Sequence, residues 1–146
     1  MRPLGLFAIA ASIAVTGCEK PQGLQVIDPV IRLSANSKAP SAGYFTMKGG
    51  PTADRLLSVT SPVVIRIDLH ESMMAGNMAS MKPLDGGVDV PAGDTIKFEE
   101  GGKHLMLFDI NPGVKAGENI QLNFTFASGT ILQAFAPVNA AGSLPE

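Results

Sequence analysis

The two histidines of this chain, His70 and His104, lie close in the sequence to most of its methionines. Of the seven methionines, five lie between the histidines or just after the second one: Met73, Met74, Met78, Met81 and Met106. Imidazole nitrogen and thioether sulfur suit Cu(I), whereas Mg²⁺, Ca²⁺ and Mn²⁺ prefer carboxylate and carbonyl oxygens. The clustering therefore predicts a site for copper in its reduced state, built without carboxylates.

The segment His104-Leu105-Met106 alternates polar and apolar positions in the way that a β-strand requires. Residues i and i+2 of a strand lie on the same face, so Leu105 and Leu107 are predicted to face the core and His104 and Met106 the opposite, solvent side. The two side chains then start about 7 Å apart, given the rise of a strand. At that spacing the flexible side chains of His104 and Met106 can both bind one ion.

His70 is predicted to end another strand on its non-core side. The predicted core face of that strand carries Val63, Ile65, Ile67 and Leu69, and the other face carries Val64, Arg66, Asp68 and His70. Residues 71–81 contain glycine, asparagine and serine and are predicted to form a methionine-rich loop. Within it Met73, Met74 and Met78 are expected to shield the ion or help to capture it. Methionine is also a common gap-filler of cores, which suffices for Met47.

The first 17 residues have the layout of a secretory signal of the lipoprotein type. Arg2 supplies a positive charge, and an apolar run then leads to Val15-Thr16-Gly17-Cys18, which resembles a bacterial lipobox. We expect cleavage before Cys18, lipidation of its thiol, and a tether over residues 18–23. Several acyl chains hold a protein stably on a membrane, so the predicted location is the cell envelope or periplasm, with a membrane anchor at Cys18.

Composition excludes several classes of function. Cys18 is the only cysteine, so the rest of the chain can form neither disulfides nor thiolate metal sites. Charged residues make up 16% and the formal net charge is −2, with no basic run, which argues against a nucleic-acid partner. With no pair of a nucleophile and a base apart from the two histidines, the sequence predicts no enzyme.

Residues 24–139 are predicted to form one all-β domain, followed by a frayed tail at residues 140–146. Short apolar runs alternate with turn residues at the spacing of a β-sandwich or barrel. Residues 119–126 give the clearest pattern, since Ile120, Leu122, Phe124 and Phe126 alternate with polar residues. Ten strands are predicted, at residues 25–33, 43–48, 55–60, 63–70, 79–84, 88–90, 95–98, 104–110, 119–126 and 131–138.

The chain resembles the PCu(A)C family of periplasmic copper chaperones. The resemblance rests on Leu69-His70-Glu71, Met81-Lys82-Pro83-Leu84, Val90-Pro91-Ala92-Gly93 and Gly101-Gly102-Lys103-His104-Leu105-Met106-Leu107. It implies a cupredoxin-like, Greek-key β-sandwich or barrel that binds Cu(I). It also implies the ligands His70, Met81, His104 and Met106, and a role in loading the copper site of cytochrome c oxidase or another copper-accepting protein. The chain departs from the family at Lys103, where an aromatic residue is usual, and in a tail without histidine or methionine.

Two other functions remain to be weighed against copper transfer. A blue-copper electron carrier needs a cysteine thiolate beside two histidines, and the domain after Cys18 has none. A metal-free interaction module of the cell envelope is the open alternative, because fold alone does not fix function. That alternative leaves the grouping of histidine and methionine as chance.

Overall fold

A computed structural model describes residues 23–142, which form ten β-strands and no helix within that range. The predicted all-β class is confirmed. The predicted signal segment, Cys18 and most of the tail lie outside the described residues. The strands are β1 (Gln25–Arg32), β2 (Ser41–Lys48), β3 (Asp54–Thr60), β4 (Val64–Ala75), β5 (Met78–Pro83), β6 (Val88–Val90), β7 (Thr95–Phe98), β8 (Lys103–Ile110), β9 (Asn119–Phe126) and β10 (Ile131–Asn139).

The strands follow one another in the order β5-β4-β8-β7-β2-β1-β10-β9-β3-β6. The two halves of this sheet join where β1 and β10 pair in parallel through Ile31 and Val138. The halves also face each other across a common core. Phe45 of β2 stacks on Phe98 of β7 at 4.1 Å between ring centroids, and meets Phe124 of β9 edge-on at 4.9 Å. The result is the predicted sandwich.

Strand β9 shows how the sequence pattern produces this core. Its residues alternate strictly, with Ile120, Leu122, Phe124 and Phe126 buried and the intervening residues exposed or half-buried. Buried apolar area contributes about 25 cal/mol per Å², so a one-residue shift of this strand would expose four large side chains. That penalty fixes its register against β3 and β10.

The start of β4 departs from the predicted alternation. Val64 is buried and Ile65 is 81% exposed, the reverse of the prediction. The neighbouring strand explains the difference, because Asp109 of β8 has a φ of 55°, a left-handed conformation that breaks the pleat opposite Ile65. The alternation recovers further along, and Leu69 is buried as predicted.

The methionine-rich segment is not the loop that its composition predicted. Strand β4 continues past His70 to Ala75, and β5 pairs with it from Met78 onward. The two strands form a hairpin, here called the methionine hairpin (residues 72–81). Its two-residue turn consists of Gly76 and Asn77, and Gly76 has the positive φ of 61° that a tight hairpin turn requires.

Candidate metal centre

Strands β4 and β8 place the two histidines directly opposite each other. The antiparallel register pairs His70 with His104 and Asp68 with Met106. Directly paired residues lie on the same face of a sheet, so both imidazoles and the Met106 thioether share one face, as the sequence predicted. The ring centroids of His70 and His104 are 6.1 Å apart, and their planes are inclined at 52°.

His104 is held in one orientation by the backbone just before it. Its Nδ1 lies 3.0 Å from the Gly102 carbonyl oxygen, and because a carbonyl can only accept, Nδ1 must carry the proton. The Nε2 lone pair is then available to a metal ion, an arrangement typical of metal-ligating histidines. Gly102 was not identified from the sequence as an orienting residue, although the Gly101-Gly102 turn marked its place.

The predicted solvent exposure of His104 is wrong, since its side chain is buried at 8% relative exposure. The face opposite the core is not open at this point of the sheet. The ring lies beside His70 and turns back onto the Gly102 carbonyl, which removes it from water. Burial and the hydrogen bond together restrict the ring more than a surface position would.

His70 carries an unsatisfied nitrogen. Of the side-chain nitrogen and oxygen atoms buried within residues 23–142, His70 Nδ1 is the one without a hydrogen-bond partner. Leaving a buried polar atom unpaired costs about 1–3 kcal/mol, and such atoms in native structures require an explanation. A metal ion between two facing imidazoles would supply the missing partner, so the geometry fits a metal-binding role for His70.

Met81 reaches the same face from β5. It pairs with Ser72, which lies two residues after His70 on β4. Met81 is therefore a diagonal neighbour of His70, at about 7–8 Å between Cα atoms. The structure thus brings His70, Met81, His104 and Met106 together on three adjacent strands.

The other hairpin methionines divide between the two faces. The pairing of β4 with β5 has no register shift between the pair His70–Pro83 and the pair Ala75–Met78. Successive side chains therefore alternate regularly between the two faces of the hairpin. Met74 lies on the histidine face with Met81, while Met73 and Met78 lie on the opposite face. The sequence grouped the three as auxiliary residues, and the register separates them.

The charged residues near the histidines are paired with one another. The Lys103 ammonium donates to Glu71 Oε1 at 2.9 Å, and this hydrogen bond lowers the pKa of the Glu71 carboxyl below its usual value. Asp68 pairs with Arg66 at 3.2 Å. Neither carboxylate partners His70 Nδ1, and Lys103 brings no unbalanced positive charge to the site.

The side chains brought together here, those of His70, Met81, His104 and Met106, offer neutral nitrogen and sulfur atoms. Within residues 23–142, no group of three or more histidine, cysteine, aspartate or glutamate side chains is arranged to hold a metal ion. The described part of the chain also has no helix of sufficient length and apolarity to cross a bilayer. A cavity of about 700 Å³ lies at the far end of β4 and β8, beside Ile65 and Asp109.

The fold is shared with solved copper-binding domains. The copper-bound PCuAC domain from PmoF2 aligns with 82% of this chain and 95% of its own, at 18% identity and a TM-score of 0.65. The Cu(I) form of DR1885 from Deinococcus radiodurans aligns with 83% of this chain and 81% of its own, at 22% identity and a TM-score of 0.67. The predicted resemblance to the PCu(A)C family and its cupredoxin-like fold is confirmed.

Sequence relatives point to the same group. "Putative lipoprotein Lxx21020" of Leifsonia xyli subsp. xyli is 26% identical over 138 residues, which cover 92% of this chain and 82% of that protein. The family described as "Putative lipoprotein LpqE-like" matches residues 24–138, almost the whole described domain. This chain therefore belongs to the LpqE-like family.

Proposed function

We propose that this protein is an exported, lipid-anchored copper chaperone that binds one Cu(I) through His70, Met81, His104 and Met106. The observation that carries the proposal is the pair of facing imidazoles, one with a buried unpartnered nitrogen and the other oriented by a backbone carbonyl. The solved domains of the same fold that carry copper support the choice of metal. The proposed acceptor is the copper site of cytochrome c oxidase or another copper-accepting protein.

The donor set favours transfer of the ion over its use in catalysis. Each ligand is neutral, and thioether bonds to Cu(I) can be exchanged singly for those of an incoming partner. Met81 is 58% exposed whereas His104 is buried, so one side of the site is open to a partner and the other is fixed. No redox step is needed, because copper remains Cu(I) throughout.

A Cu(I) competition titration tests this function directly. The Cys18→Ser variant serves as the reference protein, because an unmodified Cys18 thiolate would itself bind Cu(I). We expect one equivalent of Cu(I), no intense blue colour on oxidation, and loss of that equivalent in a variant carrying both His70→Ala and His104→Ala. A metal-free interaction module predicts no bound copper in the reference protein, and that result would overturn the proposal.

The anchor is tested separately. Since Cys18 ends the apolar run, Cys18→Ser is expected to abolish lipidation and change the partitioning of the protein between the membrane and soluble fractions. Mass spectrometry of the expressed protein reports the acyl mass, and fractionation reports its location. Identical partitioning of wild type and variant, with no acyl mass on either, would rule out the lipid anchor and leave the copper site unaffected.

A further inference from the structure

The methionine hairpin extends the histidine site outward along one face. Three residues of β4 follow one another on this face, His70, Ser72 and Met74, and Met81 of β5 lies opposite the middle one. Met81 is consequently a diagonal neighbour of both His70 and Met74, about 7–8 Å from each between Cα atoms. On this face Met81 lies between the histidines and Met74.

Met74 is too far from the histidines to complete their site. Met74 lies four positions along the strand from His70, about 13 Å at the rise of a β-strand. Met74 and Met81, however, are close enough for their flexible side chains to bind one ion between them. The face therefore offers two overlapping positions for Cu(I), an inner one at the histidines and an outer one at Met74 and Met81.

Exposure increases from the inner position to the outer one. His104 is 8% exposed, Met81 58% and Met74 71%. No residue from Ser72 to Met81 is charged, so the outer position combines two soft sulfur donors with open access and no competing carboxylate. Thioethers suit Cu(I) and bind hard cations poorly, which makes this position selective for the same ion as the inner one.

We propose that Met74 and Met81 form an outer two-thioether position through which Cu(I) enters and leaves the histidine site. The proposal rests on the proposed function and adds a route to it. Movement outward forms a Cu–S bond to Met74 and breaks the Cu–N bonds to the two imidazoles and the Cu–S bond to Met106, while Met81 remains bound. Copper stays Cu(I), and no electron or group is transferred. Met73 and Met78, on the other face, take no part.

Adjacent residues provide the test and its control. Met74→Leu and Met73→Leu remove a thioether from the same strand of the same hairpin at nearly constant volume, but from opposite faces. Both are compared with wild type in the Cys18→Ser background, in which Cu(I) transfer to bicinchoninate is followed by stopped-flow absorbance. We expect Met74→Leu to slow transfer about tenfold, equivalent to about 1.4 kcal/mol of barrier. Its equilibrium affinity should stay within about twofold of wild type, about 0.4 kcal/mol, and Met73→Leu should match wild type in both.

A second readout does not depend on rates. In protein with ¹³C-labelled methionine methyl groups, titration with Ag(I), a redox-inert soft cation, should shift the Met81, Met106 and Met74 signals and leave Met73 unchanged. An unmoved Met74 signal with unaltered transfer in Met74→Leu would overturn the outer position alone. If Met73→Leu slowed Cu(I) transfer as much as Met74→Leu, the outer position would also be overturned. Unmoved Met81 and Met106 signals would overturn the histidine site as well, so the two failures are distinguishable.

Discussion

Replacement of His104 by alanine is expected to weaken Cu(I) binding by on the order of 100-fold or more, because substitution of residues that merely orient ligands already weakens metal binding about 10–100-fold. His104 is the most fixed donor of the proposed site, since it is buried and its Nδ1–H donates to the Gly102 carbonyl. The measurement is a competition titration with a Cu(I) chelator in the Cys18→Ser background. Met74→Leu should change the affinity far less.

The structure supplies a control for a purely structural role of His104. His104→Asn places an amide N–H where Nδ1 stands, so the hydrogen bond to Gly102 can persist, but Nε2 is lost. We expect His104→Asn to bind Cu(I) as poorly as His104→Ala. Asp68→Asn, on the same face opposite Met106, should bind like the reference protein. Near-normal Cu(I) affinity in His104→Asn would show that His104 stabilises the backbone at Gly102 and does not bind the metal.

Most of the fold could be predicted from the sequence because the sequence itself marks where most strands begin and end. Alternation of apolar and polar residues along β9 leaves only one face that can be buried, and glycine or proline turns interrupt the chain between strands. The pairing of β4 with β8 then follows from two strands that each present apolar side chains to the core. Local pattern and global packing agree at these positions, which is why sequence reasoning succeeds there.

The faces of the methionine hairpin could not be predicted in this way. Residues 72–81 contain few residues with strand propensity, and their glycine and asparagine indicated a loop. They are strands because β4 continues from a buried strand and because the Ser72 amide donates to the Gly102 carbonyl at 3.0 Å. Only the strand pairing of the hairpin places Met74 and Met73 on opposite faces. The burial of His104 escaped prediction for a similar reason, since it depends on the neighbouring strand.

Acid is expected to release the copper. An imidazole binds a metal ion only when unprotonated, so protons compete with Cu(I) for both rings. The Cu(I) affinity should therefore fall as the pH is lowered from about 7.5 to about 5.5. Thioethers do not titrate, so residual binding through Met81 and Met106 should persist. Chelator competition at several pH values measures the slope.

A substitution within the site shows whether the protons belong to the histidines. His70→Met exchanges an imidazole for a thioether, which takes up no proton, so the fall in affinity over the same range should become shallower. The Lys103 hydrogen bond lowers the pKa of the Glu71 carboxyl, so the contribution of this pair to stability is retained over that range. A carboxyl with a lowered pKa stabilises the fold above its unfolded-state pKa, and this stabilisation is lost only as the pH falls further, through the folded-state value. Circular dichroism across pH 7.5 to 5.5 should therefore be constant, and an equally steep fall in His70→Met would show that His70 is not a copper ligand.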